Sequence, residues 1–316
     1  MAAKKNKVFM SGAAIVWRRQ RVLWWIFIVG LVFSHLGTHR QVEKVAGALN
    51  HSLSAAPRLF HDFDVDAIME LTEQPDAPLE TFGQSFLISP FLYTIFMLFI
   101  TGGILATYYR NMTMSTGEFF GASGHYFWRF FRLLIYFAIA CIPIMILLGI
   151  ANAIYDHLDE VSTSPLVSVH FFEAAAVVIL FLVMCLRLWF DMAQVIAVAD
   201  DEPRMHRALR LSAGLVWRNF GSLFWLYFRI SLIGCLGFGL GLYLWMFKLK
   251  PESLTSGFLL SQIMILTWIA TRLWQRASEA AWYGGHQAME SESDVVPVPA
   301  PVPVMAAPPA ATPGMN

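Results

Sequence analysis

The stretch of the chain with the most pronounced chemical spacing is "DFDVDAIMELTE", Asp62 to Glu73. Its acids, Asp62, Asp64, Asp66, Glu70 and Glu73, stand at relative positions 1, 3, 5, 9 and 12, the side-chain ligand positions of a calcium loop. Position 6 is Ala67, where such a loop needs glycine for its sharp turn. The competing reading is an acidic loop in which Asp64 or Asp66 caps a short helix. His35 and His39 are four apart and would share one helical face, with His51 and His61 following, but no third zinc ligand falls at a convincing spacing. Arg187 and Asp191 are also four apart, so they can pair along a helix. Arg229 lies within an apolar run, where a guanidinium is expensive and usually faces the bundle interior. The expectation is that Arg229 meets Asp191, either as a helix lock or as a polar site for an anionic headgroup or solute. No Ser-His-Asp set, HExxH or paired intramembrane aspartate can be assembled. The glycines of "GCLGFGLGLYLW" lack the flanks of a phosphate loop and suit close helix packing. Neither an enzyme nor a cofactor is expected.

The elements that must position these residues are membrane helices. The chain is 57% apolar and 14% charged, against about 25% charged in soluble domains. A bilayer core of about 30 Å needs about 20 helical residues. Six segments are read as spans, at about 22–38, 86–108, 133–154, 171–194, 222–247 and 257–273. With the N-terminus inside, sixteen Lys and Arg fall toward the cytoplasmic side, counting Arg187 and Arg272 at the inner ends of their spans, and five outside, with Arg229 in span 5. The positive-inside rule then predicts both termini in the cytoplasm. The three cysteines, Cys141, Cys185 and Cys235, each fall in a span and argue against a disulfide framework. Residues 1–21 are a basic interfacial segment, 22–288 the transmembrane domain with an acidic outer loop at 39–85, and 289–316 a Pro-, Val- and Ala-rich tail that cannot build a core. In the outer loop, short helices are predicted near 42–53 and 65–73. On the inner side, 203–218 reads as a basic amphipathic helix with Met205, Leu209, Ser212 and Val216 on one face and Pro203 at its first position.

One phrase recurs. "AAIVWRRQRVLWW" begins at Ala13, "AGLVWRNFGSLFW" at Ala213, and a looser copy, "SGHYFWRFFRLLIYF", at Ser123. The pairs Trp17-Arg18, Trp128-Arg129 and Trp217-Arg218 precede spans 1, 3 and 5, the three that leave the cytoplasm. Tryptophan favours the headgroup layer and arginine is retained inside. Each copy is an interfacial anchor turning into a span, so the chain reads as three hairpins with cytoplasmic interfacial helices, an all-α bundle. Either the common demands of such a helix mouth or an internal repeat accounts for the likeness.

"FDMAQVIAVADDEPRMHRALRLSAGLVWRNFGSLFWLYF" and "GEFFGASGHYFWRFFRLL" resemble passages of bacterial polytopic membrane proteins, the YciC-like proteins and the membrane domain of some glycerophosphodiester phosphodiesterases. The resemblance covers about half the chain and implies a six-helix membrane fold. It carries no catalysis, because the soluble phosphodiesterase domain is absent. The expected role is non-enzymatic: a bacterial inner-membrane scaffold or accessory subunit acting on lipid or on a partner membrane complex. The alternative is a small permease or lipid-handling transporter with a site at Arg229 and Asp191. The expected partners are membrane lipid, including anionic headgroups, and other membrane proteins; zero net charge gives no bulk attraction to nucleic acid.

Overall fold

A computed structural model describes residues 2–51, 79–161, 165–249 and 254–293, with side chains over 8–35, 89–161, 166–249 and 255–289. Every regular element among the described residues is a helix: α1 (Ala2–Arg18), α2 (Gln20–His51), α3 (Leu79–Tyr109), α4 (Thr116–Val161), α5 (Pro165–Ala199), α6 (Met205–Arg218), α7 (Phe220–Phe247) and α8 (Leu254–Ser293). Five of them, α3, α4, α5, α7 and α8, are long and apolar enough to cross a membrane, which makes this a multi-pass membrane protein. The apolar part of α2, Gln20–His35, is shorter.

The helices outrun the apolar segments that mark them. The 46 residues of α4 reach about 69 Å, because the aromatic segment before the expected span is continuous with it. Likewise α2 runs unbroken to His51 through the region where a separate short helix was expected. The largest departure is α8. Its apolar stretch ends near residue 273, yet the helix continues to Ser293 with Arg272, Arg276 and Glu279 on it.

Local chemistry sets the boundaries. At the start of α4, Glu118 accepts from the Ser115 backbone N–H at 2.8 Å and the Glu118 N–H donates to Ser115 Oγ at 3.3 Å, a capping box. The α6 helix begins at Met205 rather than Pro203, since Glu202 takes the Arg204 N–H at 3.1 Å outside the helix. Met205, Ala208, Ser212 and Val216 form its buried face.

The repeated phrase folds in a repeated way. After Trp17-Arg18 the helix breaks at Arg19, and after Trp217-Arg218 it breaks at Asn219. Arg19 N–H donates to Ile15 O at 3.1 Å and Val22 N–H to Arg19 O at 3.2 Å; 200 residues on, Asn219 N–H donates to Leu215 O at 3.1 Å and Ser222 N–H to Asn219 O at 3.0 Å. The indole N–H of Trp274 donates to Phe9 O on α1, and that of Trp189 to Leu209 O on α6, both at 2.9 Å. In the same register, Asn111 after α3 and Asp201 after α5 both adopt left-handed backbone, φ 48° and 49°. Both are among the side chains that tolerate it. The third copy, in α4, passes through Phe130 without a break.

Packing follows this repeat. Helices α3, α5 and α8 touch one another at the centre. Each carries one amphipathic segment: the start of α4 on α3, α6 on α5, and α1 on α8. The N-terminal helix thus closes a ring onto the C-terminal one. Small residues permit these approaches. A Cβ at Gly12 would lie 2.1 Å from Ser278 Oγ, and one at Gly103 2.5 Å from Ser123 Oγ. The corresponding pair on α6 and α5, Ser212 and Ala193, is fully buried. Buried residues concentrate at this Trp-Arg end, whereas the far halves of α4 and α5 expose Ile142, Met145, Ile146, Val177 and Val178, as lipid-facing helices do.

Candidate functional site

Two polar neighbourhoods sit at the Trp-Arg end. The first is a buried ionic centre between α5, α7 and α8. On α8, Arg272, Gln275, Arg276 and Glu279 follow i, i+3, i+4, i+7 spacing and share one face. Asp191 of α5 meets Arg272 in a two-point contact, Oδ1 to Nη2 at 3.1 Å and Oδ2 to Nη1 at 3.0 Å. Arg272 also donates to Gln275 Oε1 at 3.1 Å, and Gln275 donates to Ser231 Oγ on α7 at 2.7 Å. Arg276 and Glu279 are buried. Both carboxylate oxygens of Glu279, and Nε and Nη1 of Arg276, have no hydrogen-bond partner among the described residues. The charges of Arg272, Arg276 and Arg187 all act on Asp191. Toward the helix ends, Tyr283 and Gln287 of α8 donate to the two oxygens of Asp200 at 2.8 and 2.6 Å, and Tyr109 of α3 donates to Gln287 at 2.5 Å. Charges at such depth are tolerated only when they face the bundle interior and one another, as here.

Asp191 thus pairs with Arg272 rather than with the expected Arg229. Arg229 stacks its guanidinium over the Phe9 ring at 4.8 Å, beside α1. That contact exists because α1 folds back across the bundle, a placement no local spacing announces.

The second neighbourhood is a cavity of about 410 Å³ between α1, α7 and α8. Arg218, Asn219, Arg229 and His286 supply its polar wall, and Trp225 and Trp282 its apolar one; among the described residues none that lines it is acidic. A smaller cavity of about 150 Å³ lies between α2, α3 and the start of α4, with Arg18, Arg19 and Arg21 in its wall.

Of the expected anchors, Trp17, Trp128 and Trp217 are strongly exposed. Arg129 is held instead by Asp201, Nη1 to Oδ1 at 2.6 Å. Among the described residues no group of three or more His, Cys, Asp or Glu could hold a metal ion. The acidic stretch Asp62, Asp64, Asp66, Glu70 and Glu73 lies outside the described residues, as do the side chains of His39, His51 and His61.

No family model, curated protein or solved structure matches the chain.

Proposed function

We propose that this is a non-enzymatic membrane scaffold of a bacterial inner membrane that acts on lipid by holding anionic headgroups at its basic, cytoplasmic face. In this reading α2 is the sixth span, the six spans form three hairpins, and both termini are cytoplasmic. The observation that carries it is the cavity between α1, α7 and α8. Two arginines, a histidine and an asparagine meet two tryptophans there, a cationic wall for a phosphate beside an apolar wall for an acyl chain. Arginine is suited to this task, since its planar fork matches phosphate geometry.

A thermal-unfolding assay on the full chain in neutral detergent tests the proposal. A ligand that binds only the folded state raises the melting temperature. Phosphatidylglycerol should raise it, phosphatidylcholine should not, and Arg218→Gln/Arg229→Gln should lose most of the phosphatidylglycerol-dependent shift. Equal shifts from both lipids would sink the proposal. The readout is the lipid-dependent difference, so any loss of intrinsic stability cancels.

A second reading, a lipid-handling or small-anion transporter, is favoured by one observation: the unsatisfied buried oxygens of Glu279 and nitrogens of Arg276 at the bundle centre. Flux of labelled lipid or anion across proteoliposomes, lost in Glu279→Gln, would support it over the scaffold.

A further inference from the structure

We infer that the smaller cavity at Arg18, Arg19 and Arg21 is a second site for a phosphate oxyanion, related to the first by the internal repeat. The two cavities use the same positions of the repeat. Arg18, Arg19, Arg21, Val22 and Trp25 line the smaller one. Their counterparts 200 residues on, Arg218, Asn219, Gly221, Ser222 and Trp225, line the larger. The facing walls correspond too. With Gly103 aligned to Ser278, Thr107 falls at Trp282 and Met114 at Met289, and each of these four residues lines its own cavity. With Trp128 aligned to Trp17, Phe119 falls at Val8, and these also face their respective cavities.

The smaller cavity is the more cationic of the two. Arg21 is held over the Trp25 ring at 5.4 Å and donates to Thr116 Oγ1 at 3.2 Å. Arg19 donates to the Met112 carbonyl and to Asn111. Ser115 and Thr116 add hydroxyls. The N-termini of α2 and α4 both open here, and their first amides carry partial positive charge. Among the described residues none that lines it is acidic, and the nearby Glu118 is engaged in its capping box.

The third copy shows what such a site holds. There Arg129 stands in the register of Arg18 and Arg218, and Asp201 in that of Asn111 and His286. Asp201 puts its own carboxylate on Arg129 at 2.6 Å, with His125 Nε2 at 3.4 Å. One copy of the repeat supplies its anion from the chain; the other two place an asparagine and a histidine at that position and leave a basic cavity beside it.

This inference rests on the headgroup reading of the larger cavity only for the kind of lipid used as probe. Native mass spectrometry of the full chain in neutral detergent, titrated with phosphatidylglycerol, separates the two. Wild type should retain two adducts, and neither should form with phosphatidylcholine. Arg218→Gln/Arg229→Gln should abolish one adduct and Arg18→Gln/Arg21→Gln the other, weakening that step about thirtyfold, since each arginine near an anionic group contributes on the order of a few-fold. Arg18→Gln alone changes an exposed side chain and keeps the test open should the double variant misfold; it should weaken the step about fivefold. Arg18→Lys/Arg21→Lys should retain the adduct. Inorganic phosphate supplies the second arm: if it binds wild type but not Arg18→Gln/Arg21→Gln, and the lipid count is unchanged, the occupant is free phosphate. If neither lipid nor phosphate binding changes in the Arg18 variants, the site does not exist. Loss of the larger cavity's adduct alone would refute only the reading of that cavity.

Discussion

At the scale of single residues, Asp191 decides how the centre tolerates three arginines. Removing one member of a buried pair strands the other and costs about 3–5 kcal/mol. Asp191→Leu and Arg272→Leu should each lower thermal stability in detergent, and the double variant should lose much less than their sum. Simple additivity would mean that the two-point contact contributes nothing. Asp201 makes a different prediction. The hydrogen bond from Arg129, with His125 beside it, holds its carboxyl below the ordinary 3.8. A carboxyl lowered on folding stabilises above its unfolded value, and that contribution fades as pH falls through the folded one. The contact therefore stands throughout the neutral range and opens only in strong acid. Replacing the acid should open it at neutral pH: Asp201→Asn frees Arg129 and should add a third phosphatidylglycerol adduct by native mass spectrometry. An unchanged count would show that the third copy is not a latent site. Asp191 could be singled out in the sequence because an acid in an apolar run must have a reason. Arg272, Arg276 and Glu279 could not, because hydropathy ends the span near 273 and assigns the residues beyond it to water. One signal was available: "RLW" occurs at Arg187–Trp189 and again at Arg272–Trp274, which sets Arg276 in the register of Asp191.

At the scale of elements, the contact between α1 and α8 depends on the absence of one side chain. A Cβ on Gly12 would meet Ser278 at 2.1 Å from Oγ and 2.9 Å from its backbone nitrogen. Helix propensity favours alanine over glycine by about 1 kcal/mol, and overpacking costs about 1–3 kcal/mol. Because backbone as well as side chain stands in the way, the steric cost should win. Gly12→Ala should lower the melting temperature, and Ser278→Ala in the same chain should restore part of the loss, the hydroxyl being the nearest atom. An increase in stability for Gly12→Ala would mean that α1 is not seated on α8. The positions of the five membrane-length helices were legible from hydropathy, and the buried face of α6 from its period. The continuity of α4 through Phe130 and the breaks at Arg19 and Asn219 were not. The three copies look alike at Trp-Arg and part company at the next residue. Arg19 and Asn219 each accept a backbone hydrogen bond at the turn, while Phe130 is fully buried inside an unbroken helix.

At the scale of the molecule, the ring has consequences in time. In the contact that seals it, the indole of Trp274 on the carbonyl of Phe9, the partners are 265 residues apart. The start of α4 meets α3, and α6 meets α5, almost as soon as each emerges from the ribosome. Of α1, the start of α4 and α6, α1 is made first and seated last. At about 5–20 residues per second, it waits on the order of 10–50 s for α8 to be translated. Over most of that interval the larger cavity lacks two of its three walls, and Asp191, made 81 residues before Arg272, waits about 4–16 s for its partner. Biogenesis of this protein therefore passes through a stage in which α1 waits without its partner helix until α8 is made.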